Sequence, residues 1–428
     1  MSDRSGRPRT AIVVTGSELV RGERADRNGP FYAREALRLG LEPARITVVG
    51  DAPAELEAAL REALTADACL VSGGLGPTHD DRTVEVLARA AGLELVLDTE
   101  LEAAIESVSR ATAERLGRPY ADFASGVAKQ ATLPAGALTL GLAGTAPGLV
   151  LRAAGGCVVV VLPGPPGELQ RLWPRALASE PLRELLARAR PPGRRVLRLF
   201  GVSESAVARA LAEAGGDGDG VEATICARDF EIHVDLVVGA GADARADALE
   251  NGLVSRLDRW LYGRDERGVE EVVLSLCRAR GVTLATAESC TGGLVAARLT
   301  SVPGSSEVFV GGVVAYSNEL KESQLGVPER LLADHGAVSA EVAEAMARGA
   351  RDRLGADVAV SVTGVAGPGG GTAEKPVGLV HLHAEAAWGG LARALDFPGD
   401  RDSIRARSVT GALHLVRRLL TQSLDDSV

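Results

Sequence analysis

Short apolar runs alternate with helical patterns in the first part of the chain. Four apolar runs have the length of strands: 10–15, 45–49, 68–72 and 157–162. Helical patterns lie between them, for example over 53–64 and 82–90, and Gly16 and Gly73 end two of the runs. This alternation predicts an α/β domain over 10–190, with a parallel sheet flanked by helices.

The pattern changes after the Pro-Pro-Gly sequence at 191–193. A strand over 195–200 and a helix over 203–214 precede a loop rich in Gly and Asp. Residues 230–238 then alternate, with Ile232, Val234, Leu236 and Val238 on one face and Glu231, His233 and Asp235 on the other. Such alternation is typical of a half-exposed strand. A small α+β module is therefore predicted over 194–263.

An α/β pattern returns over 268–424. A helix is predicted over 269–280, between Gly268 and Gly281. The later predicted elements are helices over 339–354 and 403–420 and strands over 282–286, 312–316, 357–362, 377–383 and 392–397. The segment 264–268 is polar, and few contacts should cross such a linker. We expect a fragment from residue 265 to residue 428 to fold and to act alone.

The net charge and the spacing of the cysteines limit the classes of function that this protein can have. The formal net charge is −10 and the Lys and Arg residues do not cluster, which argues against direct nucleic-acid binding. The five cysteines form no C-x-x-C pair, as expected of reduced thiols in the cytoplasm. Residues 1–9 lack a signal-peptide pattern, and no apolar run reaches the ~18 residues that span a bilayer. We expect a cytoplasmic protein that does not bind membranes.

The sharpest chemical motif is AESCTGG at 287–293, between a predicted strand and a predicted helix. The unpaired backbone amides at a helix start favour an anion, such as a tetrahedral oxyanion or a phosphate. Ser289 is either a nucleophile at this turn or an ordinary helix cap. The residues assigned to substrate binding here are Glu288, Thr291, Gly292 and Gly293.

A serine needs a base to act as a nucleophile, and no His lies near this turn in the sequence. Lys321 follows a strand ending near Tyr316, so it is expected at the same edge of the sheet. A desolvated Lys has a lowered pKa and can act as a base, whereas a solvated helix Lys cannot. The sequence leaves both readings open. The domain has only two lysines, Lys321 and Lys375, among many arginines, and Arg cannot act as a base.

A glycine-rich loop at 363–371 follows another predicted strand. Its amides could wrap a phosphate or a ribose, or it is a flexible connection. The residues assigned to substrate binding in this loop are Thr363, Gly364, Gly367, Gly369 and Gly370. His381 and His383 share one strand face, but two ligands alone do not predict a metal site.

The first domain has a candidate site of its own at its strand ends. The sequence GGLGPTHDD at 73–81 follows a strand and suits a phosphate cradle with Mg²⁺ carried on a pyrophosphate. Its two aspartates could instead cap the following helix. Further strand-end turns lie at 16–18 and 163–168. The assigned binding residues are Gly73, Gly74, Gly76, Glu18 and Asn28, and the assigned metal ligands are Asp80 and Asp81.

These motifs together resemble the competence- and damage-inducible protein A (CinA) family over nearly the full chain. The matching sequences in the first domain are TGSEL at 15–19, GGLGPTHDD at 73–81, GTAPG at 144–148 and LPGPPG at 162–167. Those in the third domain are AESCTGG at 287–293, YSN at 316–318 with Lys321, the loop 363–371 with KPVG at 375–378, and GDR at 399–401 with Arg405. Several long matches in one order are highly specific.

The resemblance implies a fold and two activities. It implies a molybdopterin-binding-like first domain with a parallel or mixed sheet, a KH-like middle module and a C-terminal α/β CinA domain. The last is expected to convert nicotinamide mononucleotide (NMN) to nicotinate mononucleotide and ammonia without a cofactor. Its implied catalytic residues are Ser289, Lys321 and Tyr316, with Arg401, Arg405 or the 363–371 loop on the nucleotide phosphate.

For the first domain the resemblance implies hydrolysis of ADP-ribose with a divalent metal, Mg²⁺, Mn²⁺ or Co²⁺. The chain departs from the family here, because Arg27 stands where the family usually has Thr in an Asp-Thr-Asn sequence. The alternatives are a regulatory domain that binds a nucleotide or a pterin without catalysis, and an accessory protein of DNA uptake. We expect a homodimer or a larger homo-oligomer.

Overall fold

The computed structural model describes residues 7–422, apart from the side chain of Asp122. The chain divides into two compact units, Met1–Gly193 and Arg194–Val428. None of the helices within the described residues is long and apolar enough to cross a membrane. The five cysteines are free thiols, four of them buried and Cys226 exposed.

The first unit is built on a mixed sheet of six strands. The strands of the unit are β1 (Arg9–Thr15), β2 (Glu42–Val49), β3 (Ala68–Ser72), β4 (Leu95–Leu97), β5 (Thr132–Pro134), β6 (Leu138–Leu142), β7 (Pro147–Arg152) and β8 (Val158–Leu162). The sheet order is β2-β1-β3-β8-β7-β6, and β4 pairs with β5 separately. The strands β2, β1, β3 and β8 are parallel, and β7 and β6 join antiparallel. Every residue of β3 and β8 is buried, as expected of central parallel strands.

Helices cover both faces of this sheet and enclose two apolar cores. They are α1 (Ser17–Val20), α2 (Asn28–Arg38), α3 (Pro53–Ala63), α4 (Thr83–Ala91), α5 (Thr99–Leu116), α6 (Ala121–Ala124), α7 (Val127–Ala131), α8 (Pro166–Ala178) and α9 (Glu180–Ala187). The α/β architecture predicted from the alternation is confirmed, but the sheet is mixed and not wholly parallel, because β6 and β7 pair antiparallel.

The small module of the second unit has four strands and two helices. These are β9 (Gly193–Leu199), β10 (Val221–Arg228), β11 (Glu231–Val238), β12 (Leu261–Gly263), α10 (Glu204–Glu213) and α11 (Asp243–Leu257). The sheet order is β10-β11-β9-β12. The four apolar residues of β11 are buried as predicted. Glu231, expected on the exposed face, is also buried, because it accepts a hydrogen bond from His414 of the following domain.

That hydrogen bond corrects the expectation that few contacts cross residues 264–268. The ring of His414 also stacks on Phe200, with 3.8 Å between the ring centroids. The module and the C-terminal domain therefore share a buried seam of polar and aromatic contacts.

The C-terminal domain has a five-stranded sheet with helices on both faces. Its strands are β13 (Leu284–Glu288), β14 (Phe309–Val314), β15 (Val358–Gly364), β16 (Leu379–Ala386) and β17 (Gly389–Asp396). Its helices are α12 (Val269–Arg280), α13 (Leu294–Thr300), α14 (Asn318–Leu325), α15 (Glu329–His335), α16 (Ala340–Leu354) and α17 (Arg401–Gln422). The order is β14-β13-β15-β16-β17. The strands β14, β13 and β15 are parallel, so their carboxyl ends meet at one edge.

Candidate functional site

Three loops converge at this edge of the C-terminal sheet. Ser289 directly follows β13, Lys321 lies in α14 after β14, and the 363–371 loop follows β15. The Ser289 backbone amide donates to the Val362 carbonyl at 2.9 Å, and the Ala315 amide donates to the Glu288 carbonyl at 2.9 Å. These bonds extend the sheet by one residue and fix the serine beside both neighbouring loops.

Lys321 points into the sheet edge and meets Ser289. Its side chain is 1% exposed, and Ser289 is 9% exposed. The Lys321 Nζ lies 3.1 Å from the Ser289 Oγ, 2.9 Å from the Ala315 carbonyl oxygen and 3.3 Å from the Tyr316 carbonyl oxygen. Of the two interpretations of Lys321, the structure supports the desolvated one.

The three contacts of Lys321 are compatible with both protonation states of its amine. An ammonium can donate to all three oxygens, and a neutral amine can donate to the two carbonyls and accept from the Ser289 hydroxyl. Burial lowers the pKa of Lys321 below its usual value of 10.5. The neighbouring thiol is a poor alternative nucleophile, because burial raises the pKa of Cys290 to about 11. The contact between the Lys321 Nζ and the Ser289 Oγ is short enough for a proton to pass between them.

Glu288 is a helix cap and not a ligand for substrate, contrary to the sequence-based assignment. Its carboxylate is 1% exposed and accepts hydrogen bonds from the backbone amides of Gly293, Val295 and Ala296, at 2.9, 3.0 and 2.8 Å. The carboxylate thus satisfies the free amides at the start of α13. An anionic substrate group cannot use these amides.

Two of the three backbone amides predicted to bind an oxyanion are already hydrogen-bonded within the protein. Gly293 donates to Glu288, and the Gly292 amide donates to the Ser289 carbonyl at 3.0 Å. The Thr291 amide has no acceptor within residues 7–422, and its buried hydroxyl has no partner there either. Of the predicted donors for an oxyanion, Thr291 is the one that is free.

Two arginines of α17 hold the loops around Ser289. Arg405 donates from Nε to the Cys290 carbonyl at 3.2 Å and from Nη2 to the Thr291 carbonyl at 3.0 Å. Arg401 donates to the Gly367 carbonyl at 2.7 Å and to the Tyr316 hydroxyl at 2.8 Å. The guanidinium groups of both residues are therefore already hydrogen-bonded to oxygen atoms of the protein.

Tyr316 contacts Lys321 through its main chain and not through its side chain. Its side chain is 58% exposed, and its hydroxyl accepts the hydrogen bond from Arg401. The atom of this residue that contacts Lys321 is its main-chain carbonyl oxygen. Because every residue type has a main-chain carbonyl, the identity of the residue could not predict this contact.

The glycine-rich loop is only partly available to a ligand. The Thr363 side chain is buried and donates to the Ala337 carbonyl at 2.7 Å, so its assignment to substrate is corrected to a structural role. Gly364 is half-buried and Gly367 is buried, whereas Gly369 and Gly370 are exposed. The exposed glycines are the part of the loop that a ligand can reach.

The pair of histidines on β16 does not form a metal centre. His383 lies 2.9 Å from the Glu385 carboxylate. No set of three or more His, Cys, Asp and Glu side chains in the part of the chain that the structure describes is placed to hold a metal ion. The His383–Glu385 contact is a buried polar pair.

The first unit has a cleft of about 800 Å³ at the carboxyl ends of β1, β3 and β8. It is lined by all the residues assigned there from the sequence: Gly73, Gly74, Gly76, Glu18, Asn28, Asp80 and Asp81. Glu168 of the predicted 163–168 turn also lines it, as does Asp51, which sequence reasoning missed. Asp51 comes just after β2, so it could have been found as a carboxylate at the carboxyl end of a fourth strand.

Asn28 lines the cleft and also links the carboxyl ends of two strands by hydrogen bonds. Its amide nitrogen donates to the Ser72 hydroxyl at 2.8 Å and to the Gly164 carbonyl at 2.7 Å. Arg27 beside it is exposed and lines the cleft. The departure from the family sequence therefore adds a cation to a cleft lined by several carboxylates.

Asp80 and Asp81 fit a metal that is shared with a phosphate. Both carboxylates accept from the Thr78 hydroxyl, so they lie close together. Mg²⁺ is commonly held by one or two carboxylates together with substrate phosphates and water. The pair therefore fits a cation that arrives with a pyrophosphate.

Comparisons with known proteins agree with this architecture. Residues 266–420 match the CinA C-terminal domain, and residues 11–183 match a family described as a probable molybdopterin binding domain. A CinA-like protein of Mycolicibacterium vanbaalenii is 46% identical over 420 residues, 96% of this chain and 99% of that protein. The chain belongs to the CinA family.

Two further CinA proteins are similar in sequence to this chain. The CinA-like protein of Mycobacterium leprae is 46% identical over 430 residues, 98% of this chain and 99% of that protein. A competence/damage inducible protein from Agrobacterium tumefaciens, solved by crystallography, is 43% identical over 37% of this chain and 99% of its own, with a TM-score of 0.35. The predicted combination of a molybdopterin-binding-like domain with a CinA domain is confirmed.

Proposed function

We propose that the C-terminal domain is an amidohydrolase that removes ammonia from the carboxamide of a nicotinamide nucleotide, with NMN as the substrate. The observation that carries the proposal is the 3.1 Å contact between the Lys321 Nζ and the Ser289 Oγ in a buried setting. The family resemblance supplies the choice of NMN.

The reaction starts with neutral Lys321. Its lone pair takes the proton of the Ser289 hydroxyl while the Oγ attacks the carboxamide carbon. The carbonyl oxygen becomes an oxyanion, and the Thr291 amide, which has no acceptor within residues 7–422, is our candidate donor to it. One such donor typically contributes ~3 kcal/mol to the transition state.

Lys321 then returns its proton to the leaving nitrogen. The C–N bond breaks, ammonia leaves, and an ester joins the nicotinoyl group to Ser289. Lys321 next takes a proton from a water molecule that attacks this ester, and it passes that proton to the Ser289 Oγ as nicotinate mononucleotide leaves. Each proton thus passes through the Lys321 Nζ, and the enzyme returns to its starting state.

Arg401 is our choice for the nucleotide phosphate. It is exposed at the rim, whereas Arg405 is half-buried and has Asp402 at 3.8 Å. A planar guanidinium binds phosphate well. The exposed Gly369 and Gly370 lie in the same loop as the Gly367 carbonyl that Arg401 contacts.

The test is incubation of the protein with NMN, with ammonia and nicotinate mononucleotide both measured. The wild type should form the two products in equal amounts, and Ser289→Ala should form neither. Ser301→Ala, at the exposed far end of α13, is the matched control and should keep full activity. Equal activity of wild type and Ser289→Ala would refute the proposal.

For the first unit we propose a metal-dependent pyrophosphatase that acts on ADP-ribose. The observation in its favour is the cleft that collects Asp80 and Asp81 with the glycine loop. These two carboxylates would hold the divalent cation, which would neutralise charge on the pyrophosphate. Cleavage should require Mg²⁺, Mn²⁺ or Co²⁺ and should be lost in Asp80→Ala/Asp81→Ala. Binding of ADP-ribose without cleavage under all three metals would favour a regulatory domain.

A further inference from the structure

The tip of the β10–β11 hairpin has an unusual backbone. Asp229 and Phe230 have φ angles of 51° and 68°, in the left-handed region that residues with side chains disfavour. Two-residue hairpin turns ordinarily place Asn, Asp or Gly at such positions. A phenylalanine here carries a conformational cost, and such outliers often mark residues with a function.

The strained tip is docked on the C-terminal domain. The Phe230 ring meets Phe397 edge-on, with 5.2 Å between centroids, and meets Phe200 at 5.7 Å. The Asp229 carbonyl accepts a hydrogen bond from the Thr410 hydroxyl at 2.9 Å. The next residue, Glu231, accepts from His414 at 2.6 Å. Three successive residues of the hairpin thus contact β17's end and α17.

The elements that the hairpin contacts are those that hold the amidase loops. Phe397 leads into α17, whose first turns carry Arg401 and Arg405. Thr410 also accepts a hydrogen bond from Arg298 of α13 at 2.8 Å, and α13 begins at the Ser289 turn. The hairpin therefore contacts α17 directly and is linked to α13 through Thr410.

We propose that the β10–β11 hairpin is a positioning element of the amidase site, with Phe230 as its key side chain. By holding Phe397 and α17, it keeps Arg401 and Arg405 on the carbonyls that shape the loops around Ser289. The inference rests on the proposed amidase function, because the loops in question are the amidase loops. The small module is then a working part of the amidase and not only a spacer.

Phe230→Gly tests this proposal, because it removes the ring and also relieves the strained backbone. Asp219→Gly is the matched control: Asp219 has a φ of 51° in the same module, in the loop before β10. Phe230→Tyr keeps an aromatic ring and should rescue the effect. The readouts are NMN deamidation, melting temperature, and backbone hydrogen exchange of the 289–293 and 364–371 loops.

Phe230→Gly should lower kcat/KM by about tenfold or more and speed exchange in both loops, with a melting temperature close to that of Asp219→Gly. Phe230→Tyr should match the wild type in both readouts. Loop exchange in Phe230→Gly equal to that in Asp219→Gly overturns the proposal, whatever the activity. A wild type that does not deamidate NMN would refute the proposed function instead, and the exchange comparison would still decide whether the hairpin holds the loops.

Discussion

The Lys321 Nζ lies 3.1 Å from the Ser289 Oγ, and both residues are buried, although Ser289 lies in the turn after β13 and Lys321 lies in α14. The neighbours of the lysine are main-chain carbonyls, which accept hydrogen bonds from an amine but add no full negative charge. A carboxylate in the same position would favour the ammonium form and remove the base. Burial lowers the pKa of Lys321, which makes its neutral, basic form more accessible.

Substitution of Lys321 separates a base from a simple cation. Lys321→Arg keeps a positive charge but has no accessible lone pair, so it should lose activity as fully as Lys321→Met, by about a thousandfold. Deamidation of NMN by each purified variant measures this. Activity in Lys321→Arg within tenfold of the wild type would assign the residue to substrate binding.

The pH dependence of deamidation follows from the lowered pKa of Lys321. The base is the neutral form, so kcat/KM should rise with pH and level off at the folded pKa, which lies below 10.5. The unfolded chain binds a proton that the folded chain lacks between these two pKa values, so stability also rises with pH there. Below the folded pKa, Lys321→Met should unfold at higher urea than wild type. A rate that falls as pH rises toward 10 would contradict this assignment.

Arg401 should distinguish nucleotides from nucleosides. Arg401→Ala removes the proposed phosphate contact, which should lower kcat/KM for NMN by about ten- to a hundredfold. It also releases the Tyr316 and Gly367 loops, so nicotinamide riboside, which has no phosphate, is the matched substrate. The loss with NMN should exceed the loss with the riboside. Equal losses would show that Arg401 only shapes the loops.

The buried pair Glu231 and His414 should make the second unit sensitive to acid. Burial lowers the pKa of His414 from 6.5 to about 4. Burial raises the pKa of Glu231, but hydrogen bonds from His233 and His414 outweigh it and lower the value from 4.5 to about 2. In both cases the unfolded state binds more protons, so stability should fall as pH falls from 6.5 to 4 for His414 and from 4.5 to 2 for Glu231.

Urea unfolding of His414→Leu at several pH values tests this window. Between pH 6.5 and 4.5 the wild type should lose up to about 1.4 kcal/mol per pH unit more than the variant, because the variant lacks one titrating group. The variant should also be less stable at pH 7, since Glu231 loses a buried donor. His335→Gln, at a more exposed histidine, is the control. Parallel pH profiles of wild type and His414→Leu would exclude this role.

Much of the fold could be predicted from the sequence where glycines and apolar runs mark the boundaries. The helix α12, Val269–Arg280, was predicted residue for residue, because Gly268 and Gly281 flank it. Strand β10 was not predicted, because most of its residues are exposed and it has no clear apolar face. Strand β14 ends at Val314 and not at residue 316, a boundary that depends on its pairing with β13.

The candidate site was harder to predict than the fold, because roles depend on neighbours from other parts of the chain. Sequence reasoning singled out Ser289 and Lys321, which the structure places 3.1 Å apart, but could not tell a buried lysine from a solvated one. It also assigned Glu288 to substrate, whereas the free amides of α13 make that carboxylate a cap. Glu231 was placed on the exposed face for the same reason, since its partner His414 is far away in the sequence.

We propose that Ser289 forms a covalent ester with the nicotinoyl group of the substrate. Wild-type protein mixed with NMN and quenched in acid within the first turnover, then digested and weighed, tests it directly. The peptide that contains Ser289 should gain the mass of NMN less ammonia, the gain should disappear as nicotinate mononucleotide forms, and Ser289→Ala should show none. Full turnover without a mass gain at any time, together with an active Ser289→Ala, would contradict the account and point to direct attack by water.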